Sequence, residues 1–179
     1  VQLEKQLRWQ EVAECYLQIL QLEPDHCDAL LGFAELLYKA GAVHESQQLL
    51  ENRLRIRPQD YDTKFLLGRG WLELGKPVEA LNSFQEILEQ QPSHYKTLRK
   101  MSEFLYQQVK YSEARIYLER LILAYPNDIW ALKALMRVLF LLGLVEEAQI
   151  VAEKAIETID TEPSLETHRY DLLSIYLFI

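Results

Sequence analysis

One stretch of the sequence matches the spacing of a phosphate-binding loop. Gly70, Gly75 and Lys76 fit the pattern GxxxxGK, in which backbone amides and a lysine would cradle the phosphates of a nucleotide. The next residue is Pro77, so the serine or threonine hydroxyl that would bind magnesium is missing. The preceding residues have a helical periodicity, whereas the motif requires a strand before it. A helix end followed by a proline at the start of the next helix explains this stretch better than a nucleotide site does.

The other side chains capable of catalysis or metal binding are scattered. The four histidines form no HxxxH or HExxH pair, and Cys15 and Cys27 are too few for a disulfide framework or a four-ligand zinc site. Acidic pairs such as Glu153 and Glu157 have the spacing of a solvated helix face rather than of a general acid and base. We therefore expect no enzyme activity, cofactor, metal ion or small-molecule substrate. The alternative, an enzyme with a spatially assembled site, would show a pocket with two convergent, pKa-perturbed residues.

Composition and net charge limit the kinds of partner that the chain can bind. The 179 residues include 19 Lys and Arg against 27 Asp and Glu, a formal net charge of −8 that disfavours nucleic acids and anionic membranes. An apolar fraction of 49% is typical of a soluble globular protein. The longest uncharged apolar stretch, residues 138–145, is far shorter than the roughly 20 residues that span a bilayer. The first residue is Val1 and no signal peptide precedes it, so we expect a processed chain or an excised fragment of a cytoplasmic protein.

A repeat in the sequence defines the elements that would position any site. Prolines lie 34 residues apart, at Pro24, Pro58, Pro92 and Pro126. Glycines keep the same phase, except that Val109 stands where a fourth would fall: Gly41, Gly75 and Gly143. Between these markers apolar residues recur at every third or fourth position, which predicts two amphipathic helices in each repeat. The glycine would end the first helix and the proline the second, and three polar residues after prolines are candidate N-caps: Asp25, Ser93 and Asn127.

This unit of two helices resembles the tetratricopeptide repeat, whose pattern combines W-x2-L-G-x2-Y, A-x3-F and a final proline. Residues 61–94 carry the fullest copy: Leu67, Gly68, Trp71, Ala80, Phe84 and Pro92. In the last complete repeat Asp160 stands where the proline is expected. The resemblance covers the whole chain and implies an all-α fold, a right-handed superhelical solenoid of antiparallel helix pairs. It divides the chain into a partial repeat 1–26, the complete repeats 27–60, 61–94, 95–128 and 129–162, and an opening helix or cap at 163–179.

The resemblance implies a protein–protein interaction scaffold that takes part in complex assembly. In such arrays the first helix of each pair lines the concave side, and positions 2, 5, 9 and 12 of a repeat face the groove. Net positive charge collects on the first helices of the complete repeats and net negative charge on the second helices. We expect the groove to bind an acidic, partly apolar peptide segment of another protein through basic and aromatic residues: Phe65, Arg69, Lys96, Arg99, Tyr106, Trp130, Lys133, Arg137 and Phe140.

Two related functions fit the sequence less well. Some members of the family hold the acidic C-terminus of a heat-shock chaperone with a carboxylate clamp that needs asparagine at position 6. Here position 6 holds other residues: Gly32, Leu66, Lys100 and Ala134. The pentatricopeptide class reads RNA, but its period is slightly longer than 34 and its arrays are usually basic.

An alternative function is self-association through exposed terminal helices. Residues 164–179 end in the apolar sequence LLSIYLFI and have no polar capping face, although a terminal repeat normally needs one for solubility. The sequence therefore also predicts an assembly module whose C-terminal helix packs on another copy or on a partner.

Overall fold

The computed structural model of the chain describes residues 2–161 and residue 167, with the side chains of residues 8–161 and of residue 167. The described part contains no strand and consists of nine helices. They are α1 (Gln2–Leu22), α2 (Cys27–Lys39), α3 (Val43–Ile56), α4 (Tyr61–Glu73), α5 (Pro77–Gln90), α6 (Tyr95–Gln107), α7 (Tyr111–Ala124), α8 (Ile129–Leu141) and α9 (Val145–Thr161). The predicted all-α class is confirmed. No described helix has the length and apolar character needed to cross a membrane. The helix predicted at 164–179 lies outside the described residues.

The chain divides into two compact units, Val1–Gln90 and Gln91–Ile179, called unit 1 and unit 2 below. Unit 1 contains α1 to α5, in which α2 packs on α3 and α4 on α5. Unit 2 contains the pairs α6 with α7 and α8 with α9. The first helices of the pairs begin 34 residues apart, at Cys27, Tyr61, Tyr95 and Ile129.

Small side chains allow the two helices of each pair to approach closely. Ala80, Ala114 and Ala148 occupy equivalent positions near the start of the second helices, and all three are fully buried. Ser46 takes this position in α3, where its hydroxyl donates a hydrogen bond of 2.8 Å to the Ala34 carbonyl of α2. Behind these contacts, residues such as Leu135, Leu139 and Ile159 build the core of unit 2.

The first helix of each pair ends in a left-handed residue, as the glycine spacing predicts. Gly41, Gly75 and Gly143 have φ of 83°, 69° and 76°. Gly75 follows α4 and Pro77 begins α5, so the stretch that matches GxxxxGK is a helix end and the start of the next helix. Val109 takes the equivalent position after α6, with a φ of 61°.

The N-caps lie one residue later than predicted. Pro24 and Asp25 occupy the centre of a turn that is closed by a hydrogen bond from the His26 amide to the Glu23 carbonyl. The first residue after the turn therefore becomes the cap, and Asp25, Ser93 and Asn127 do not serve in that role. The side chains that accept a hydrogen bond from the amide three residues on are those of His26, Asp60 and Asp128.

The repeat that contains α3 has a buried charged residue at a position where the other three complete repeats have apolar ones. Arg53 of α3 has a side chain that is 2% exposed, and its Nε lies 2.5 Å from an Asp60 carboxylate oxygen. The equivalent positions 34, 68 and 102 residues later hold Ile87, Leu121 and Ala155, all fully buried. Burial would raise the pKa of Asp60, but hydrogen bonds from the Thr63 amide and from Arg53 outweigh it and hold that pKa below its ordinary value.

Candidate functional site

A cavity opens in unit 2 between the first helices of its two pairs. It lies between α6 and α8, has a volume of about 510 Å³, and reaches down to Leu118 of α7. Its lining combines apolar and aromatic walls with polar and charged groups: Ser102, Glu103, Tyr106, Gln107, Leu118, Ile129, Trp130, Lys133, Ala134 and Arg137. A concave site of this size, largely apolar and carrying a few polar groups, is typical of a ligand-binding pocket.

The cavity brings together four of the nine residues predicted for the groove. Tyr106, Trp130, Lys133 and Arg137 all line it. Arg137 is exposed and makes no hydrogen bond or ion pair with another residue of the described chain. The pocket therefore presents a guanidinium group that can bind an anion beside an aromatic surface.

Arg99, also predicted for the groove, is engaged within the protein. Its guanidinium carbon lies 4.2 Å from the ring centroid of Trp130. Its nitrogens donate to the Glu103 carboxylate at 3.2 Å and to the Tyr95 hydroxyl at 3.3 Å. Burial would lower the pKa of Arg99, but these two hydrogen bonds raise it above its ordinary value. Arg99 therefore orients the indole of Trp130 rather than offering its charge to a ligand.

The contacts of Glu103 explain why Arg99 is engaged within the protein whereas Arg137 is available to a ligand. Its carboxylate accepts from Arg99 on one oxygen, and its other oxygen lies 3.7 Å from the ammonium of Lys100. Glu103 and Arg137 hold the same repeat position 34 residues apart, yet no ion pair between them is found. The Glu103 carboxylate thus binds two cations of its own helix. Arg137 remains without a partner among the described residues.

Unit 1 shows the opposite outcome at the same repeat positions. Arg69 donates to Glu35, its counterpart one repeat earlier, at 3.3 Å, and its guanidinium carbon lies 4.9 Å from the ring centroid of Tyr38. The Tyr38 hydroxyl donates to the Arg69 carbonyl at 3.4 Å. Burial, reinforced by the Glu73 carboxylate, raises the pKa of Tyr38 to about 12, so its hydroxyl stays neutral and remains a donor. Arg69 is therefore engaged within unit 1.

The remaining predicted residues lie outside the cavity lining. Phe65 of α4 is 7% exposed, and its ring lies 5.7 Å from that of Phe84 between centroids. Its prediction as an exposed stacking surface is corrected: the α4–α5 pair uses this ring in its core. Lys96, in the first turn of α6, and Phe140, near the end of α8, are both exposed.

The comparisons with known proteins agree with the helix pairs. A sequence profile described as tetratricopeptide repeat matches residues 72–136, which include α6 and α7 and reach into α8. The helix pairs of the rest of the described chain are consistent with the same repeat. None of the curated proteins compared with the chain matches it.

Solved structures of MamA have the same fold as these tetratricopeptide repeats. One, titled as the crystal structure of MamA protein, is 16% identical with a TM-score of 0.68, over 91% of this chain and 89% of that chain. A second MamA crystal structure is 16% identical with a TM-score of 0.71, over 90% and 94%. MamA AMB-1 is 21% identical with a TM-score of 0.64, over 88% and 93%. At these identities the likeness shows the fold alone.

Tetratricopeptide repeats are typically non-catalytic, and the family supports a protein–protein interaction scaffold. Ser102, the serine of the pocket lining, donates a hydrogen bond of 2.8 Å to the Arg99 carbonyl and not to a base. No group of three or more His, Cys, Asp or Glu side chains in the described residues could hold a metal ion. The pocket lining offers an apolar surface, hydrogen-bonding groups and two cations, Lys133 and Arg137.

Sequence reasoning missed the polar partners that decide which cations are available. Glu103 and Gln107 belong to the pocket lining, and Glu35 pairs with Arg69. Repeat position 9 places Glu35 and Glu103 on the groove side, but only basic and aromatic residues were predicted to bind there. One signal was available in the sequence. Repeat position 9 alternates in charge along the tetratricopeptide repeats: Glu35, Arg69, Glu103 and Arg137.

Proposed function

We propose that unit 2 binds an acidic, partly apolar peptide segment of another protein in the pocket between α6 and α8. One observation carries the proposal: Arg137 stands in the wall of an apolar cavity, exposed and without a partner in the described chain. A guanidinium in such a place matches a carboxylate through two parallel hydrogen bonds. Lys133, one helical turn earlier on α8, adds positive charge to the same wall.

The apolar part of the segment would rest on the aromatic side of the pocket. Trp130 is fixed in orientation by Arg99, so its ring is ordered before a ligand arrives. Tyr106 faces it across the cavity from α6, and Ile129 and Leu118 form the deeper wall. A preordered aromatic surface loses little side-chain entropy on binding, which favours tight binding of apolar side chains.

Self-association is a second candidate, favoured by the surface of α1. Five apolar side chains along this helix are exposed by more than a third: Trp9, Val12, Leu17, Ile19 and Leu22. Several large apolar side chains exposed on one helix are a feature of many interfaces. Under this proposal a second copy of the chain covers α1. Residues 164–179, the other predicted contact, lie outside the described part. Sedimentation velocity separates the candidates, because only self-association requires a concentration-dependent increase in mass.

Selection of a random dodecapeptide display library on the full chain tests the peptide-binding proposal. We expect the selected peptides to be rich in Asp and Glu and to carry bulky apolar residues near them. Their affinity should fall as salt rises from about 0.05 M to about 0.5 M, because screening weakens the contacts to exposed cations. Binding should not vanish, because the apolar contacts are insensitive to screening. Selected peptides that are basic, or whose affinity is independent of salt, would contradict the proposal.

A further inference from the structure

The turn between α6 and α7 has a β-branched residue in a left-handed backbone conformation. Val109 has a φ of 61°, whereas the equivalent residue of the other three repeat turns in the described chain is glycine. A positive φ is uncommon for any residue with a side chain, and for a β-branched residue it is a genuine outlier. The backbone at Val109 is therefore strained.

The hydrogen bonds of the turn impose this conformation on Val109. Its amide donates to the Tyr106 carbonyl, and the Lys110 amide donates to the Leu105 carbonyl, both at 3.0 Å. The turn at Gly143 has the same pair of bonds, each 2.9 Å long. This is the Schellman motif, in which the residue after the cap must be left-handed. Glycine would form the turn without the steric conflict that valine introduces.

Among the described residues, no packing buries the Val109 side chain and so offsets the strain. Val109 is 67% exposed, so its two methyl groups face solvent. Val109 lies two residues beyond the end of α6, whose last two residues, Tyr106 and Gln107, line the pocket. Tyr106 is itself exposed, and its ring packs on Tyr111 beyond the turn, 5.5 Å between centroids. Strained residues with no structural benefit are typical of binding sites.

We propose that Val109 belongs to the partner-binding surface of unit 2, where its isopropyl group packs against an apolar side chain of the bound segment. The inference rests on the proposed function and extends its contact area from the pocket across the α6–α7 turn. Binding buries the methyl groups that the free chain leaves in water, which is favourable in proportion to the apolar area covered. Val109 thereby selects segments that place an apolar residue beside those held by Tyr106 and Trp130.

Two substitutions in the full chain test the role of Val109. The probe is a fluorescein-labelled dodecapeptide, the tightest binder from the display selection, and its affinity is measured by fluorescence anisotropy. Val109→Gly should raise the Tm by about 2–4 °C, because it relieves the strain. It should also weaken peptide binding by about tenfold, because it removes the apolar contact between the isopropyl group and the segment. Val109→Asn should weaken binding to a similar extent, since asparagine tolerates the left-handed conformation but is polar.

The outcomes separate this inference from the proposed function. If Val109→Gly and Val109→Asn bind the peptide as wild type does while reversal of Lys133 and Arg137 abolishes binding, the inference about Val109 is overturned and the pocket proposal stands. If none of these changes affects binding, the peptide binds elsewhere and both fail. A lower Tm for Val109→Gly would show that the valine serves the fold, and it would overturn the inference as well. Loss of binding in Val109→Gly alone would indicate that turn rigidity matters, which also contradicts it.

Discussion

Reversing the charges of Lys133 and Arg137 together, as Lys133→Glu with Arg137→Glu, is expected to weaken partner binding by well over tenfold. Each cation would lose a charge-assisted hydrogen bond to the acidic segment, a contact worth about 1.5–3 kcal/mol. The new carboxylates would also repel the segment and stand close to Glu103 in the same lining. Anisotropy of a labelled acidic peptide measures the change. Helicity should be unchanged, because Arg137 is exposed and Lys133 is only partly buried.

A matched reversal on the second helix of the same pair is the control. Glu153→Lys with Glu157→Lys changes the net charge of the chain by the same amount in the opposite direction. Both residues are exposed on α9, away from the pocket lining. This variant should bind the peptide as well as wild type or slightly better through long-range attraction. If the α9 reversal abolishes binding and the α8 reversal does not, the peptide binds along α9 and the pocket assignment fails.

Removing the Asp60 carboxylate is expected to destabilise unit 1 by about 3–5 kcal/mol, because it leaves the buried charge of Arg53 without its closest partner. Asp60→Ala also removes the cap of α4, since the Asp60 carboxylate accepts from the Thr63 amide at 3.1 Å. The Arg53 Nη1 atom is buried and lacks a hydrogen bond, and the Asp25 carboxylate lies 3.6 Å from it, so the guanidinium would keep only this longer ion pair. Urea denaturation followed by circular dichroism measures the loss.

Arg53→Leu is the informative comparison, because a sister repeat already has that arrangement. In unit 2, Leu121 is fully buried at the equivalent position, and Asp128 caps α8 without a buried arginine beside it. Replacing the charge of a buried pair with an apolar side chain of similar size is often neutral or stabilising. We therefore expect Arg53→Leu to cost far less than Asp60→Ala. Equal losses from the two substitutions would contradict this account of the pair.

The pH dependence of stability follows from the lowered pKa of Asp60. A carboxylate whose pKa is lower in the folded than in the unfolded state stabilises the folded state at pH values above its unfolded pKa of about 4. The stabilisation is lost as the pH falls through the folded pKa, when the carboxylate is protonated. The stability difference between wild type and Asp60→Asn should therefore shrink below about pH 4. Thermal unfolding across that range measures it.

The architecture was readable from the sequence because its signals are local. Prolines every 34 residues stop the preceding helix because proline lacks an amide hydrogen, so the starts of α2, α4, α6 and α8 follow from a period. The caps were misplaced by one residue, because the turn after each proline takes up two positions. Arg53 holds the same repeat position as Ile87 and Leu121, which indicates that its side chain is buried. Only the contact with Asp60 explains how the protein accommodates a charge there.

Which cations are available to a ligand could not be read from spacing. Arg69 and Arg137 hold the same repeat position, yet Arg69 pairs with Glu35 whereas Arg137 has no ion pair among the described residues. The difference depends on competition for Glu103, whose carboxylate binds Arg99 and Lys100 on its own helix. Side-chain competition of this kind depends on distances between helices. The sequence period does not contain that information.

The fluorescence of Trp130 tests the central claim most directly, because this residue lies in the pocket wall. The chain has three tryptophans, so Trp9→Phe with Trp71→Phe leaves Trp130 as the sole reporter. A saturating acidic, partly apolar peptide is expected to shift the emission of Trp130 to shorter wavelength and to protect it from quenching by acrylamide, because the peptide covers the ring. Unchanged emission and quenching, while anisotropy shows the labelled peptide fully bound, would contradict the claim that this pocket is the binding site.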